Sequence, residues 1–220
     1  MKTMIIGDLH GKIEVVEKVA KALHDDENLN VIFIGDYVDA WDRSIEEQIE
    51  TFRLVEKLVK ESDDERVVAL CGNHEMSYLN PKMRSSGYSL GIQTSIFYPD
   101  ADVSFLKSFV WRNGFLISHA GVSRLLLKDF EMESVEEYLS YGNFTQIGLS
   151  RGGMDVAGGL FWCDWNLDFA MGAEGTKQIV GHTRVFNIEE RNGNYCVDCL
   201  DTVENVLMLS DNGSVEIVEL

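Results

Sequence analysis

Val31-Ile32-Phe33-Ile34-Gly35-Asp36-Tyr37-Val38-Asp39 is the stretch from which the rest of the chain can be read. Its first four residues are continuously apolar and largely β-branched, which predicts a strand buried on both faces and ended by the glycine. Asp36 then stands at the carboxyl end of a central strand. Open α/β sheets bind ligands at that edge, and a carboxylate held there by a rigid strand can bridge two cations. Residues 35–39 taken alone also fit an Asp that caps the next helix. The neighbouring segments decide between these readings.

Upstream, Met4-Ile5-Ile6 reads as a short strand that stops at Gly7 and delivers Asp8-Leu9-His10-Gly11. Asp and His two residues apart, in a glycine-flanked turn, form a borderline-hard ligand set suited to Mn, Fe or Zn. The same residues also fit a helix cap beside an exposed His. Val15, Val16, Val19 and Leu23 then recur at helical spacing, predicting a helix over 13–23 with His24 solvated at its end. Downstream, Ile49, Phe52, Val55, Leu58 and Val59 predict a second helix over 45–59. A third strand over 66–70 runs into Cys71-Gly72-Asn73-His74-Glu75. Strand, glycine and polar ligand thus recur three times with helices between. This is the pattern of βαβ units that bring all three turns to one edge of a parallel sheet.

The rest of the chain is less regular. Pro81, Gly87, Gly91 and Pro99 interrupt residues 76–110, read as a short helix, loops and a further helix near 103–109 that wall a substrate groove. Phe115-Leu116-Ile117 is again strand-like and leads to Ser118-His119. Residues 122–159 read as mostly helical, ending in the glycine-rich Arg151-Gly152-Gly153 and Gly158-Gly159. Gln178-Ile179-Val180 predicts another strand, ending at Gly181-His182-Thr183-Arg184, and from Val185 onward alternation with Asn-Gly turns predicts an antiparallel meander. The expected architecture is α/β: two packed β-sheets with a largely parallel centre and an antiparallel C-terminal meander, flanked by helices, in one domain over 1–220.

Composition narrows the function. A formal charge of −18, with 19 basic against 37 acidic residues, argues against a broad grip on nucleic acid. A polyanionic substrate would need a local positive centre, for which metal ions are the natural candidates. No apolar run reaches membrane length and no secretory leader is recognised, so a cytoplasmic protein with reduced cysteines is expected. Cys196 and Cys199 form a CxxC, but residues three apart on a strand face opposite sides, which favours buried thiols over a shared metal.

Four of the five histidines follow predicted strands, next to glycine or small residues and accompanied by carboxylate or amide groups. With Asp8/His10, Asp36/Asp39, Asn73/His74/Glu75, His119 and Gly181/His182 in this order, the chain resembles the calcineurin-like metallophosphoesterases over essentially its whole length. The resemblance implies that Asp8, His10 and Asp36 hold one divalent cation and that Asp36, Asn73, His119 and His182 hold the other, with Mn expected and Fe or Zn suitable. It further implies that a hydroxide shared by the cations attacks phosphorus while His74, oriented by Asp39, protonates the leaving oxygen. The alternative for His74 is an additional metal ligand.

Three features are similar to the serine/threonine phosphoprotein phosphatase branch, in its bacterial or phage-type form. Arg184 replaces the second His of the G-H-x-H that is typical of members acting on nucleic acids or cyclic nucleotides. Asp39 stands where symmetrical diadenosine tetraphosphatases usually carry Asn. The branch's L-W-S-D stretch has a counterpart in Leu160-Phe161-Trp162-Cys163-Asp164. Its phosphate-clamping Arg does not follow Asp39, where Ala40 stands, which leaves Arg43, Arg151 and Arg184 as candidate clamps or as ordinary surface charge. The resemblance therefore implies a phosphorylated protein or small phosphoester as substrate. A nucleotide-directed hydrolase, such as a diadenosine tetraphosphatase or nucleic-acid end phosphatase, and a non-catalytic metal-stabilised scaffold are the alternatives.

Overall fold

The computed structural model describes residues 1–220 except 64, 81, 84, 99, 100 and 171, so Pro81 and Pro99, read above as pattern breakers, lie outside the described residues. The predicted central strand is β2 (Leu29–Phe33), preceded by β1 (Lys2–Ile6) and the helix α1 (Ile13–Asp25), and followed by α2 (Ile45–Glu61), β3 (Val67–Leu70), α3 (Asn73–Leu79) and the single turn α4 (Leu90–Ile92). β1, β2 and β3 are neighbours and parallel, with Ile5 opposite Ile32 and Ile32 opposite Val68. The three polar turns therefore emerge at one sheet edge, as the repeated pattern predicts. His24 is exposed at the end of α1.

Two-sided burial of these strands follows from two layers packing against them. Ile6, Val31 and Phe33 join Val16 and Val19 of α1 and Phe52 and Val55 of α2 on one face. Ile5, Ile32 and Ile34 face the other way, onto Phe115, Ile117 and Ile179 of a second sheet. The period-two alternation along β1 and β2 thus divides the side chains between two cores. Beyond the second sheet, Leu116 packs with Leu126 and Leu127 of α5 (Arg124–Asp129) and with Val135 and Tyr138 of α6 (Val135–Tyr141). Helices, sheet, sheet and helices form four layers.

α2 departs from its predicted buried face in an informative way. Phe52 and Val55 are buried, whereas Ile49, Leu58 and Val59 are only partly so, and polar Gln48 and Thr51 are buried beside them. Gln48 is drawn inward because its side-chain oxygen accepts the Asp39 and Ala40 N–H groups at 2.7 and 3.1 Å. The helix starts at a capping box in which Ser44 and Glu47 satisfy each other's backbone N–H groups.

Three expectations are corrected. The helix expected near 103–109 is instead β4 (Leu106–Lys107), after which the chain enters β5 (Phe109–Arg112). The edge of β3 supplies unpaired backbone groups there, and β4 satisfies them in parallel register, so sheet pairing overrides ambiguous local periodicity. Residues 122–159 hold α5, α6 and a single 3₁₀ turn at Leu149–Arg151, with irregular chain between them, not a mostly helical segment. The C-terminal meander divides. β8 (Glu189–Arg191) and β9 (Asn194–Cys196) complete the second sheet, in the order β5-β6-β7-β9-β8, with β6 being Phe115–Ser118 and β7 Lys177–Val180. β10 (Asn205–Ser210) and β11 (Val215–Glu219) cross to the first sheet, where β10 pairs antiparallel with β1. Cys196 ends β9 and Cys199 lies beyond it, and both are buried free thiols. No described helix is long and apolar enough to cross a membrane.

Candidate metal centre and active site

Side chains from both sheets meet at the edge where β1, β2, β3, β6 and β7 end. Four of these residues adopt left-handed backbone: His10 (φ 41°), Asp36 (φ 51°), Asp39 (φ 65°) and His182 (φ 65°). Each non-glycine residue held there costs about 1–3 kcal/mol, which the surrounding bonds must offset. Those bonds are present. The Leu9 and His10 N–H groups both donate to the Asp36 carbonyl, at 3.0 and 2.7 Å, and the Gly11 N–H donates to the Tyr37 carbonyl at 2.9 Å. Gly72 is required because a Cβ on it would lie 2.1 Å from Asp36 Oδ1.

Glu75 carries a role that the sequence reading left unassigned. Its carboxylate is fully buried and accepts the N–H groups of Asp36 (2.8 Å), Tyr37 (2.9 Å) and Gly72 (3.0 Å). It thereby ties the second turn to the third. Burial, together with the nearby Asp36 carboxylate, raises its pKa to about 7. Glu75→Gln is expected to cost about 2–3 kcal/mol, because the amide NH₂ must face a buried N–H that has lost its acceptor. A denaturant melt that shifts its midpoint with an unchanged slope checks this, and an unshifted midpoint contradicts it.

The ligand atoms converge as two overlapping groups. Asp36 Oδ2 lies 3.8 Å from His10 Nε2 and 3.4 Å from His119 Nε2. Asn73 Oδ1 lies 2.8 Å from both His119 Nε2 and His182 Nδ1. His10, Asp36 and His74 form one cluster of possible ligands, and Asp36, His119 and His182 form the other, with Asp36 common to both. His10 and His119 each place Nδ1 at 2.9 Å from a backbone carbonyl, of Val38 and Ile34 respectively, which orients each ring with Nε2 toward the site. Burial lowers the pKa of His10 and His182, keeping their lone pairs free. Burial alone would lower His119 too, but Asp36 and Asp8 outweigh it and lift His119 to about 9. Asp8, expected with His10 and Asp36 at the first cation, belongs to neither cluster; it is buried beside them and accepts the His182 N–H at 3.1 Å.

These features fit a pair of divalent cations. The buried Asp8 and Asp36, the imidazoles of His10, His119 and His182 and the amide oxygen of Asn73 are gathered at this edge, and among the described residues His182 Nε2 is buried without a partner. Mixed oxygen and nitrogen donors of this kind suit Mn, Fe or Zn.

His74 sits beside the ligand set, with Nδ1 2.8 Å from Asp39 Oδ2 and Nε2 3.9 Å from Asp36 Oδ2. Burial works against its protonation, but Asp36 and the Asp39 hydrogen bond prevail and raise its pKa to about 9. Asp39 is itself held by the hydroxyls of Tyr78 and Ser85. A cleft of about 440 Å³ opens over His10 and His74, lined also by Trp41, Asp42, Ser86 and Arg184. An adjoining cleft of about 250 Å³ adds Asn73, Arg151, Trp162, His182 and Asp198. The segments 76–110 and 122–159 thus both reach the groove, through Ser85, Ser86 and Arg151.

The three candidate clamps separate. Arg151 lines the cleft, anchored by Thr183 Oγ1 at 2.7 Å and by Asp164 Oδ2 at ion-pair distance, 2.9 Å. Arg184 lines it as well and pairs with Asp201 at the surface. Arg43 does not reach it. Its guanidinium is engaged by both oxygens of Glu14, at 2.6 and 3.2 Å, because Ala40 and Asp39 are fastened to Gln48 and the following chain turns toward α1. Besides Glu75, the sequence reading passed over Trp41, Ser86 and Asp198. Asp198 had a usable signal, since it follows an apolar strand just as Asp8 and Asp36 do.

The chain is similar in fold to a cold-active protein-tyrosine phosphatase of a psychrophilic Shewanella species, with 16% identity and a TM-score of 0.64 over 99% of this chain and 80% of that one. A protein serine/threonine phosphatase from Saccharomyces cerevisiae matches with 16% identity and a TM-score of 0.60, covering 100% and 80%. A candidate diadenosine tetraphosphatase matches with 16% identity and a TM-score of 0.52, covering 99% and 93%. At such identities the likeness carries the fold alone. No curated protein matches the sequence. The model of the calcineurin-like phosphoesterases, however, matches residues 1–210, and on that near-complete span the protein belongs to the calcineurin-like phosphoesterase family.

Proposed function

We propose that this metallophosphoesterase is a phosphomonoesterase acting on phosphoserine or phosphothreonine in proteins, in the cytoplasm and with Mn as the resident metal. Membership of the family implies a binuclear divalent centre. Asp8, His10 and Asp36 would hold one ion, and Asp36, Asn73, His119 and His182 the other. Bound there, the ions would supply an activated water and neutralise phosphoryl charge. The chain's own groups do the rest. Arg151, braced by Thr183 and Asp164, offers its guanidinium to the phosphoryl oxygens, and Arg184 can join it by leaving a surface ion pair worth about 0–1 kcal/mol. His74 carries a proton on Nε2 toward the cleft while Nδ1 is fixed on Asp39.

The observation that carries this reading is the His74–Asp39 pair, 2.8 Å apart and beside the ligand set. A general acid backed by a carboxylate is what a poor alkoxide leaving group requires. Trp41 favours a second reading. It is 81% exposed on the rim of the cleft and presents a face on which a nucleobase of a nucleotide or dinucleotide substrate can stack. Asp42 and Asp201 on the same rim oppose a further polyphosphate chain. Phosphopeptides, nucleoside phosphates and dinucleoside polyphosphates assayed side by side with Mn separate the two. The highest kcat/KM is expected on a phosphoserine or phosphothreonine peptide, and a preference for the dinucleotide would replace this assignment. No turnover of any of them, nor of an aryl phosphate, would point to a scaffold.

A further inference from the structure

Asp198 lines the cleft beside the candidate ligands without a task. It follows β9, and its backbone is pinned in place: the Val197 N–H donates to the Val180 carbonyl at 2.8 Å, and the Val185 N–H donates to the Asp198 carbonyl at 2.9 Å. The segment is pressed against the turn that carries Asp8, since a Cβ on Gly7 would lie 2.2 Å from the Val197 carbonyl oxygen and 3.4 Å from Asp198 Cα. The Asp198 residue is 6% exposed and lines the same cleft as His10, Asp36, Asn73 and His182. Among the described residues its carboxylate has no hydrogen-bond or ion-pair partner.

The nearby lysine and arginine side chains are committed elsewhere. Lys12 and Arg184 both pair with Asp201, one on each carboxylate oxygen. Asp8, a buried carboxylate on the turn packed against this segment, accepts a single backbone N–H, that of His182. Two neighbouring buried carboxylates with so little compensation are costly unless a cation lies between or beside them. On the ligand assignment above, the first ion also has fewer protein donors than the second.

We propose that Asp198 is an additional carboxylate of the first cation site, acting beside Asp8, His10 and Asp36. It would supply negative charge and an oxygen donor from the second sheet to an ion held chiefly by the first. The proposal rests on the ligand assignment and is independent of the substrate.

The test is Asp198→Asn, which keeps size and shape, titrated with Mn²⁺ alone by calorimetry, and melted both in EDTA and in saturating Mn²⁺. Wild type is expected to bind two ions. The variant should keep one affinity and weaken the other by at least about tenfold, as loss of a supporting metal-site residue typically does. Its Tm in EDTA should be equal to or above that of wild type, because one of two mutually repelling buried carboxylates is gone, and the rise in Tm on adding Mn²⁺ should shrink. A side chain with a merely structural role would instead lower the Tm in EDTA. That result, or two unchanged affinities, overturns the proposal. Because no substrate enters the experiment, failure of the protein-phosphatase reading would leave its outcome untouched.

Discussion

His74→Asn is expected to reduce kcat on a phosphoserine peptide by about 10²- to 10⁴-fold while slowing p-nitrophenyl phosphate far less. The difference arises at the leaving oxygen. The serine alkoxide is strongly basic and departs only with a proton, whereas nitrophenolate is stable without one. On the proposed mechanism His74 gives that proton, with its ring fixed by Asp39 at 2.8 Å and its pKa raised to about 9, so that it is charged at neutral pH. Cations bound at Asp36 would cancel part of the support that carboxylate gives, leaving Asp39 as the partner that retains the proton. Asp39→Asn should accordingly show the same selective loss in milder form, since Tyr78 and Ser85 can still position the amide. The measurement is kcat for the parent and both variants on the two substrates, with two metals per chain verified in each sample. Equal slowing on both substrates, or loss of metal, would make His74 a ligand or an electrostatic contact and would end its assignment as the acid.

Asp36→Asn should weaken metal binding at both positions by more than about 100-fold, because residues that merely support ligands already cost 10–100-fold when altered. Activity should fall below detection. Asp36 Oδ2 faces His10 on one side and His119 on the other, and Oδ1 accepts the His74 N–H at 3.0 Å, so one substitution loosens both clusters and the acid's helix. His10→Ala removes a group from one cluster and should leave the other ion in place. Metal content after gel filtration should therefore fall toward zero in the first variant and toward one in the second. Full occupancy in Asp36→Asn would remove the bridging role.

Much of this arrangement was legible from the order of residues because the relevant contacts are local in kind. An apolar strand followed by glycine and a ligand-type side chain states where the strand ends and which group stands there. Three such units separated by helical periodicity leave little freedom but a parallel sheet with its turns aligned. The helix expected near 103–109 failed for the converse reason. Leu106 and Lys107 are extended because β3 offers an edge, and an edge belongs to another part of the chain. The C-terminal hairpins were equally opaque. Alternation identifies strands but does not say which sheet they join, and β9 and β10, nine residues apart, join different ones.

The same division runs through the site. The sequence pointed to Asp8, His10, Asp36, Asn73, His74, His119 and His182 as candidates, through strand-end position, donor chemistry and the family resemblance, and the structure gathers His10, Asp36, Asn73, His74, His119 and His182 at one sheet edge. Only the tertiary structure decided which arginines face the groove, that Gln48 and Glu75 hold the strained turns, and that Asp198 lines the cleft with no side-chain partner among the described residues. Those outcomes depend on competition between partners distant in the chain. Glu14 captures Arg43, Asp201 captures Lys12 and Arg184, and whatever is left uncompensated in the interior becomes the place where a cation is required.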